Sequence, residues 1–386
     1  MTFITDSFWL SVVWLGYVWI GYPITLAVLA KLYSFHSLAV DDYYPTVSVL
    51  IAARNERNDI GWKVAQTLAW DYPSDRLEVL VGSDASNDGT DDIIRAVGDA
   101  RVRFIRNSTR VGKAATLNLL AGLAQGELLF FTDANTHIEP QCLKAMARHF
   151  ADTRIGCVTG LERNVTGPEA STMTAGSNAY LDYESSINSL ESNVGSVLVC
   201  DGSVYCLRRS LFTKLDPDLA NDLEHPLRIG SLGLAILYEP RARSCEHCTT
   251  SEIEEFRRRR RIAAQGALAM WRLRRNLRGL RLWQFMSRKL LRWLTLLPLG
   301  VALATSFVLR HEPFFAVALG LQSAFYGLAL LGTGGRPGLT GLLRLPFVFL
   351  LANVAVFMGV LDACRRKRFT TWNSAALSRG ASVQDR

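Results

Sequence analysis

Four polar clusters, each following an apolar run, carry the residues of this 386-residue chain whose types and spacing could do chemistry. Arg54-Asn55-Glu56 comes directly after VSVLIAA, and Asp84-Ala85-Ser86-Asn87-Asp88-Gly89-Thr90 after LEVLVGS. Asp133-Ala134-Asn135 follows ELLFFT, and Asn221-Asp222 lies in a helical stretch beyond Leu219. Carboxylates gathered at the carboxyl edge of a parallel sheet suit a ligand with a sugar, a base and a bound divalent cation. Hard cations such as Mg2+ take oxygen ligands and are commonly shared between one or two carboxylates and substrate phosphates. Taken singly, Asp84 or Asp88 reads as a turn or helix-cap residue. Their joint occurrence in this order points to chemistry instead.

The elements that must position these residues are short and regular. β-rich runs begin at Val47, Leu77, Val102, Glu127 and Gly156, with helix-length segments between them at residues 113–125 and 141–151. Strand, helix, strand in repetition predicts a doubly wound α/β sheet with helices on both faces. Sheets of that kind bind ligands outside the carboxyl ends of their strands.

The flanks have another character. With 49% hydrophobic and 20% charged residues, against a usual charged share of about 25%, the chain is more apolar than a soluble protein needs. Gly 29, Pro 12 and 7 scattered Cys exclude a collagen, a disordered chain and a disulfide-stapled scaffold. Residues 8–32 form an almost unbroken apolar run, long enough for a bilayer crossing of ~20 residues. A cleaved signal peptide fits it poorly, because Asp6 rather than a basic residue precedes it and no small-residue cleavage site follows. Further apolar runs cover residues 290–309, 314–331 and 345–361. The net charge of +8 concentrates in residues 257–292, which hold many Arg, Lys289 and no acidic residue. Basic flanks stay on the cytoplasmic side, which predicts a multi-pass protein of the plasma (inner) membrane with a cytoplasmic α/β domain. If all three C-terminal runs cross, Arg365-Arg366-Lys367-Arg368 lands outside, so one run is expected to be re-entrant or interfacial. The last, broken by Pro346 and following Arg344, is the candidate. The expected organisation is a membrane helix in 1–40, the α/β domain in 41–250, basic amphipathic helices in 251–292, a membrane region in 293–364 and a basic tail in 365–386. Asn164-Val165-Thr166 is a chance glycosylation match in a cytoplasmic domain, and Cys245-Glu246-His247-Cys248 lacks a second half for a zinc site.

In order and spacing, Arg54-Asn55-Glu56, Asp84…Asp88-Gly89-Thr90, Gly112-Lys113-Ala114-Ala115-Thr116-Leu117-Asn118 and Thr132-Asp133-Ala134-Asn135 resemble family 2 glycosyltransferases. The resemblance is closest to the membrane-embedded branch of cellulose, chitin and hyaluronan synthases. It implies a nucleotide-sugar-binding, glycosyltransferase A-type (Rossmann-like) domain flanked by transmembrane helices. It also implies that Arg54, Glu56, Asp84 and Asp88 line the donor's nucleoside pocket and that Lys113 approaches the diphosphate. Asp133 would take the first place of the family's DxD metal motif and Asn135 the third, for Mg2+ or Mn2+. An amide in place of the usual carboxylate predicts weaker metal binding. Gly202 and Ser203 would lie on the acceptor side. Asp222 is similar in place to the general base, with Glu224 the other candidate. Arg258-Arg259-Arg260-Arg261-Ile262 stands where the family has Gln-x-x-Arg-Trp, which gives Arg261, with Arg258 beside it, to the leaving diphosphate. The absence of that Trp puts processive elongation in doubt.

The implied activity is inverting transfer from a nucleotide diphosphate sugar, by the resemblance a UDP-sugar, to a hydroxyl of a polysaccharide or lipid-linked acceptor. Single-sugar transfer to a polyprenyl or other lipid is an alternative. A degenerate, non-catalytic nucleotide-binding subunit is another, motivated by Asn135, Arg258 and Ile262. Membrane lipids are expected partners of the polybasic segment, along with further synthase or export subunits. Nucleic acid is not expected, since the basic run lacks interleaved aromatics.

Overall fold

The computed structural model describes residues 2–165, 172–247, 252–332 and 341–367. Thr166, Cys248 and residues 368–386 lie outside them, and with them the end of the glycosylation match, of the Cys-Glu-His-Cys cluster and most of the basic tail.

The chain starts with α1 (Thr2–Gly16), a π-helical turn (Tyr17–Gly21) and α2 (Tyr22–Leu32), which together make one apolar helix of 31 residues. The strands follow: β1 (Val47–Ala53), β2 (Leu77–Ser83), β3 (Val102–Arg106), β4 (Leu128–Asp133), β5 (His137–Ile138), β6 (Ile155–Val165), β7 (Tyr205–Arg208) and β8 (Ala235–His247). They form one sheet in the order β3-β2-β1-β4-β7-β6-β8-β5. β1 is buried at all seven positions, and its alternate side chains feed two cores. Val47, Val49 and Ile51 pack with α3 (Ile60–Leu68), α4 (Thr90–Arg95) and α6 (Cys142–Ala147). Leu50 and Ala52 pack with α5 (Lys113–Leu123) and Ile229 of α8 (Asn221–Ser231). The sheet is mixed rather than wholly parallel: β7 runs antiparallel to β4 and β6, and β5 antiparallel to β8. Cys157, Cys200 and Cys206 are buried, unbridged core residues.

Two long helices lead toward the apolar region, α7 (Thr172–Asn193) and α9 (Glu252–Arg272). After α9 come α10 (Gly279–Gln284), a π-helical turn (Phe285–Leu290) and α11 (Leu291–Trp293). The chain then bends by 54° into α12 (Leu296–Val308), followed by α13 (Pro313–Leu331) and α14 (Leu345–Cys364). Among the described residues three helices are long and apolar enough to cross a membrane, or four if the bent pair is one span.

The expected break in the last run is displaced. Pro346 sits in the first turn of α14, where a missing N–H interrupts nothing, and the helix continues unbroken to Cys364. The interruption falls in the 290–309 run, leaving α12 with 13 residues, about 20 Å at 1.5 Å per residue. Both ends of α14 are tied to α9. Arg344 pairs with Glu252, and Arg260 grips Asp362 through Nε at 2.5 Å and Nη2 at 2.9 Å.

Candidate active site

Register brings the clusters together. Ala53 lies opposite Ser83 and Ala52 opposite Asp133, so the chain leaves β1, β2 and β4 side by side. Strand order reverses between β1 and β4, where open α/β sheets bind ligands. Asn55 and Ala85 turn the chain sharply there, with φ of 54° and 53°. Arg54 ties two turns together by donating from Nη1 to the carbonyls of Asp84 at 2.5 Å and Ala85 at 3.2 Å. Glu56 is buried, with its N–H on Thr90 Oγ1 at 2.9 Å. The carboxylate of Asp84 is fully buried and accepts the N–H groups of Val111 at 2.7 Å and Gly112 at 3.0 Å, which fixes the loop ahead of α5. Asp88 accepts from Thr90 N–H, Thr90 Oγ1 and Arg57 N–H. Burial pushes its carboxyl up, but these bonds outweigh it and hold the group below its ordinary range. The capping role is therefore present in the fold.

Gly112 adopts φ 91°, which lets the chain turn into α5 with Lys113 as its first residue. The Lys113 ammonium reaches Asp133 Oδ1 at 2.5 Å across the sheet edge. Beneath this pair lies Lys63, which is fully buried. Its Nζ donates to Thr132 Oγ1 at 2.9 Å and to the Thr136 carbonyl at 2.7 Å, bracing the turn that carries Asp133 and Asn135. Burial lowers its pKa to about 7, against the opposing pull of Asp133. Among the described residues no group of three or more His, Cys, Asp or Glu could hold a metal by itself. Asp133 and Asn135 offer two oxygen donors on one half-exposed turn, and a cation, Lys113, already sits on Asp133. That donor set fits a hard divalent ion shared with a diphosphate better than a cation held by protein alone.

Asp222 enters from the first turn of α8. A polar chain holds that turn: Asn221 Nδ2 donates to Tyr205 OH at 2.7 Å, and Tyr205 OH meets His225 Nδ1 at 3.0 Å. Burial drives the His225 pKa down to about 3, so the ring is neutral, and Tyr205 stacks on Phe131 at 4.6 Å. Cys200 N–H donates to the Asp222 carbonyl at 2.9 Å. By contrast, Oδ1 of the Asp222 carboxylate is shut off from solvent without a hydrogen-bond partner among the described residues. Burial raises its pKa, and Asp133 adds to that, while Lys113 and Lys289 pull the other way. Gly202 lies against the same carboxylate. Ser203 is buried, and its hydroxyl is given to Asp201 at 2.7 Å. Asp201 itself is lifted to about 6 by burial, despite its hydrogen bonds. Glu224, the other candidate base, is engaged by Arg228 at 2.7 and 2.9 Å and by Asp216 N–H.

Successive arginines of α9 diverge. Arg259 pairs with Glu255, Arg260 with Asp362, and Arg258 is exposed. Arg261 makes no hydrogen bond or ion pair among the described residues, but it turns inward. Burial lowers its pKa and Arg258 adds to this, while Asp133 and Asp222 attract its charge. Lys113 pairs with Asp133, and the charges of both are felt at Asp222, as those of Asp133 and Asp222 are at Arg261, so the four lie in one neighbourhood at the sheet edge. Ile262, where the resemblance has Trp, is 46% exposed.

Residues 48–209 match the family described as "Glycosyl transferase family 2". The chain carries a family 2 glycosyltransferase domain. Beta-monoglucosyldiacylglycerol synthase of Synechocystis sp. is 30% identical to it over 119 residues, which is 30% of this chain and 25% of that protein. Probable glycosyltransferase YdaM of Bacillus subtilis is 28% identical over 214 residues, 51% of this chain and 50% of that protein. UDP-Glc:alpha-D-GlcNAc-diphosphoundecaprenol beta-1,3-glucosyltransferase WfaP of Escherichia coli is 32% identical over 91 residues, 24% of this chain and 36% of that protein. The matches to these relatives thus span between 25% and 50% of their lengths. Among solved structures, mannosyltransferase PcManGT from Pyrobaculum calidifontis, in complex with GDP-Man and Mn2+, shares the fold at a TM-score of 0.72. Identity is 20%, with 94% of this chain and 100% of that one covered. The fold is therefore of the glycosyltransferase A type, with apolar helices at both ends of the family 2 domain.

Two residues of this site escape a reading of motifs. Lys63 had a signal: it shares the buried face of α3 with Ile60, Val64 and Thr67, where a lysine has no solvent to reach. Lys289 had none, because only packing brings the segment after α9 back to Asp222.

Proposed function

We propose that this chain is an inverting transferase that moves one sugar from a nucleoside diphosphate sugar to a hydroxyl of a lipid-linked acceptor. The observation that carries this is the Asp222 carboxylate, free of hydrogen-bond donors on Oδ1 and within the electrostatic influence of Lys113, Asp133 and Arg261. The acceptor oxygen attacks the anomeric carbon as its bond to the diphosphate oxygen breaks, and the configuration inverts. The hydroxyl proton passes to Asp222. Arg261 and Lys113 meet the negative charge that the departing diphosphate gains. Glu56, Asp84 and Asp88, with Arg54 bracing their turns, line the nucleoside side, and Gly202 leaves room beside the base. Asp133 and Asn135 would hold Mg2+ or Mn2+, which when bound neutralises diphosphate charge; the Mn2+ of PcManGT supports this. The relatives' names, a diacylglycerol glycolipid and a diphosphoundecaprenol acceptor, support a lipid acceptor. Ile262 supports single transfer over elongation. The apolar helices and basic flank support a plasma-membrane protein with its site on the cytoplasmic face.

The test is nucleoside diphosphate release from a panel of nucleotide sugars by membranes carrying wild type or Asp222→Asn, with metal or chelator. Turnover of one donor, lost in both the variant and chelator, is the expected result, and product size separates one transfer from many. Nucleotide binding without release from any donor, native lipids being present, would overturn the proposal in favour of a non-catalytic subunit.

A further inference from the structure

An open cavity of about 730 Å³ shares no residue with the candidate active site. Its walls come from four stretches. Phe35 stands three residues beyond α2, and Gly195 and Ser196 follow α7. Gly230 and Leu234 flank the turn from α8 to β8, and Arg275, Arg278 and Arg281 lead into α10. Asp222 is in the first turn of α8 and Gly230 in its last, about 12 Å along the axis at 1.5 Å per residue. The cavity therefore lies at the opposite end of that helix from the candidate base.

The lining holds four arginines, Arg154, Arg275, Arg278 and Arg281, and no acidic residue. Arg154 is already compensated: it pairs with Asp152 at 2.7 Å, and its guanidinium stacks on Phe35 at 4.9 Å. Arg275 and Arg278 are exposed, and neither makes an ion pair among the described residues. Arg281 is half-buried. Its Nε donates to Ser196 Oγ at 3.3 Å and its Nη2 to the Leu234 carbonyl at 3.1 Å, and both partners are neutral. Its Nη1 lies over Gly230, shut off from solvent and without a hydrogen-bond partner among the described residues. The carbonyl end of α8 offers only a partial charge of about −0.5. Burial lowers the Arg281 pKa to about 10, and no carboxylate opposes that shift. Three guanidinium groups thus share one cavity without a counter-charge, an arrangement that an incoming anion relieves.

We propose that this cavity binds an organic phosphate, its phosphate on Arg275, Arg278 and Arg281 and its apolar part against Phe35, Leu234 and Leu280. Guanidinium groups match phosphate oxygens in charge and in the geometry of paired N–H donors. The volume suits an organic ligand and exceeds what a bare inorganic ion fills. Two sources supply this chemistry, a phospholipid headgroup and a soluble phosphate ester. Walls that run on into apolar helices, from Phe35 through α2 and from Arg281 through α10, favour the headgroup. The site stands independently of the transferase reading.

The test is calorimetric titration of the full chain in neutral detergent micelles with dioctanoylphosphatidylglycerol, dioctanoylglycerol and glycerol 3-phosphate. Wild type is expected to bind the phospholipid about tenfold or more tightly than the neutral diglyceride, as charge-assisted contacts allow. Arg278→Gln and Arg281→Gln should each lose most of that preference, and the first changes an exposed residue that the fold does not need. Arg274→Gln removes the same charge from the same segment but outside the cavity, where Arg274 stacks on Trp271, and should keep the preference. Glycerol 3-phosphate that binds as tightly as the phospholipid, and is lost in Arg278→Gln, supports the site with a soluble ester as its source. Tight binding of the phospholipid alone supports it with the membrane as the source. Equal binding of phospholipid and diglyceride by wild type overturns the proposal, as does a preference that survives in both cavity variants. An equal loss in Arg274→Gln marks diffuse attraction to the basic segment and also overturns it. Loss in Lys113→Met with the cavity variants unchanged would put the phosphate in the candidate active site instead.

Discussion

A β-carbon added at Gly202 would stand 3.4 Å from Asp222 Oδ2 and 3.7 Å from its Cβ, so the turn before β7 forms one wall of the space around the base. Gly202 lacks the positive φ that would demand glycine for backbone reasons. Its value is room. Gly202→Ala should therefore fold, bind nucleotide as wild type does, and lose about tenfold in kcat. Gly202→Val should lose much more. Unchanged kcat in the alanine variant would remove Gly202 from the acceptor side.

The pH dependence of turnover should carry the mark of Asp222. Burial raises its pKa, so the carboxylate needed as base forms at higher pH than the ordinary Asp value of about 3.9. Activity is expected to climb with pH along a limb above that value. Lys113 holds the pKa down, so Lys113→Met should move the limb further toward alkaline pH, besides weakening donor binding. A kcat profile with its acid limb at about pH 4 in both proteins would argue against Asp222 as the base.

Asn135 offers the metal an amide where a carboxylate would add charge. Asn135→Asp should lower the Mn2+ concentration for half-maximal activity by about tenfold, and Asp133→Asn should abolish metal-dependent turnover. Equal metal requirement in wild type and Asn135→Asp would mean that residue 135 lies outside the metal's reach.

Lys63 links the site to stability. Its folded pKa of about 7 lies below its unfolded value of 10.5, so the unfolded chain binds more protons between those limits. Stability must therefore rise with pH from about 7 toward 10.5 by up to several kcal/mol. The melting temperature of wild type should increase more between pH 7 and 9 than that of Lys63→Met. The variant should also need more metal, since the 132–136 turn loses its brace.

The packing of α14 on α9 should matter to a site it never touches. A β-carbon at Gly359 would fall 2.2 Å from the Arg260 carbonyl and 2.9 Å from Ala263 Cβ. Gly359→Leu should force the helices apart, destabilise by about 1–3 kcal/mol, and lower turnover by shifting Arg261. Thermal unfolding together with kcat decides it: a stable variant with normal turnover would show that α14 and α9 are not coupled.

The β-strands and the acidic clusters were legible because both are local. β1, β2 and β3 announce themselves as apolar runs, and a carboxylate right after such a run must emerge at the strand's carboxyl end. Apolar runs of 18 or more residues, likewise, have few fates besides a membrane. What the sequence could not express is direction and partnership at long range. β7 pairs with β4 and β6, and β8 with β6 and β5, each time across more than 40 residues, so the mixed sheet was not readable. The break between α11 and α12 lies in a stretch as apolar as its neighbours, whereas Pro346, the visible signal, falls harmlessly in a first turn. Arg258 to Arg261 read as one basic run, and only the helix's rotation against α14 and the sheet sends Arg260 to Asp362 and turns Arg261 inward, where the charges of Asp133 and Asp222 reach it. Lys63 and Lys289 make the same point. A lysine's type is in the sequence, but whether it meets water, a carboxylate or nothing depends on which elements close over it, and tertiary packing alone decides that.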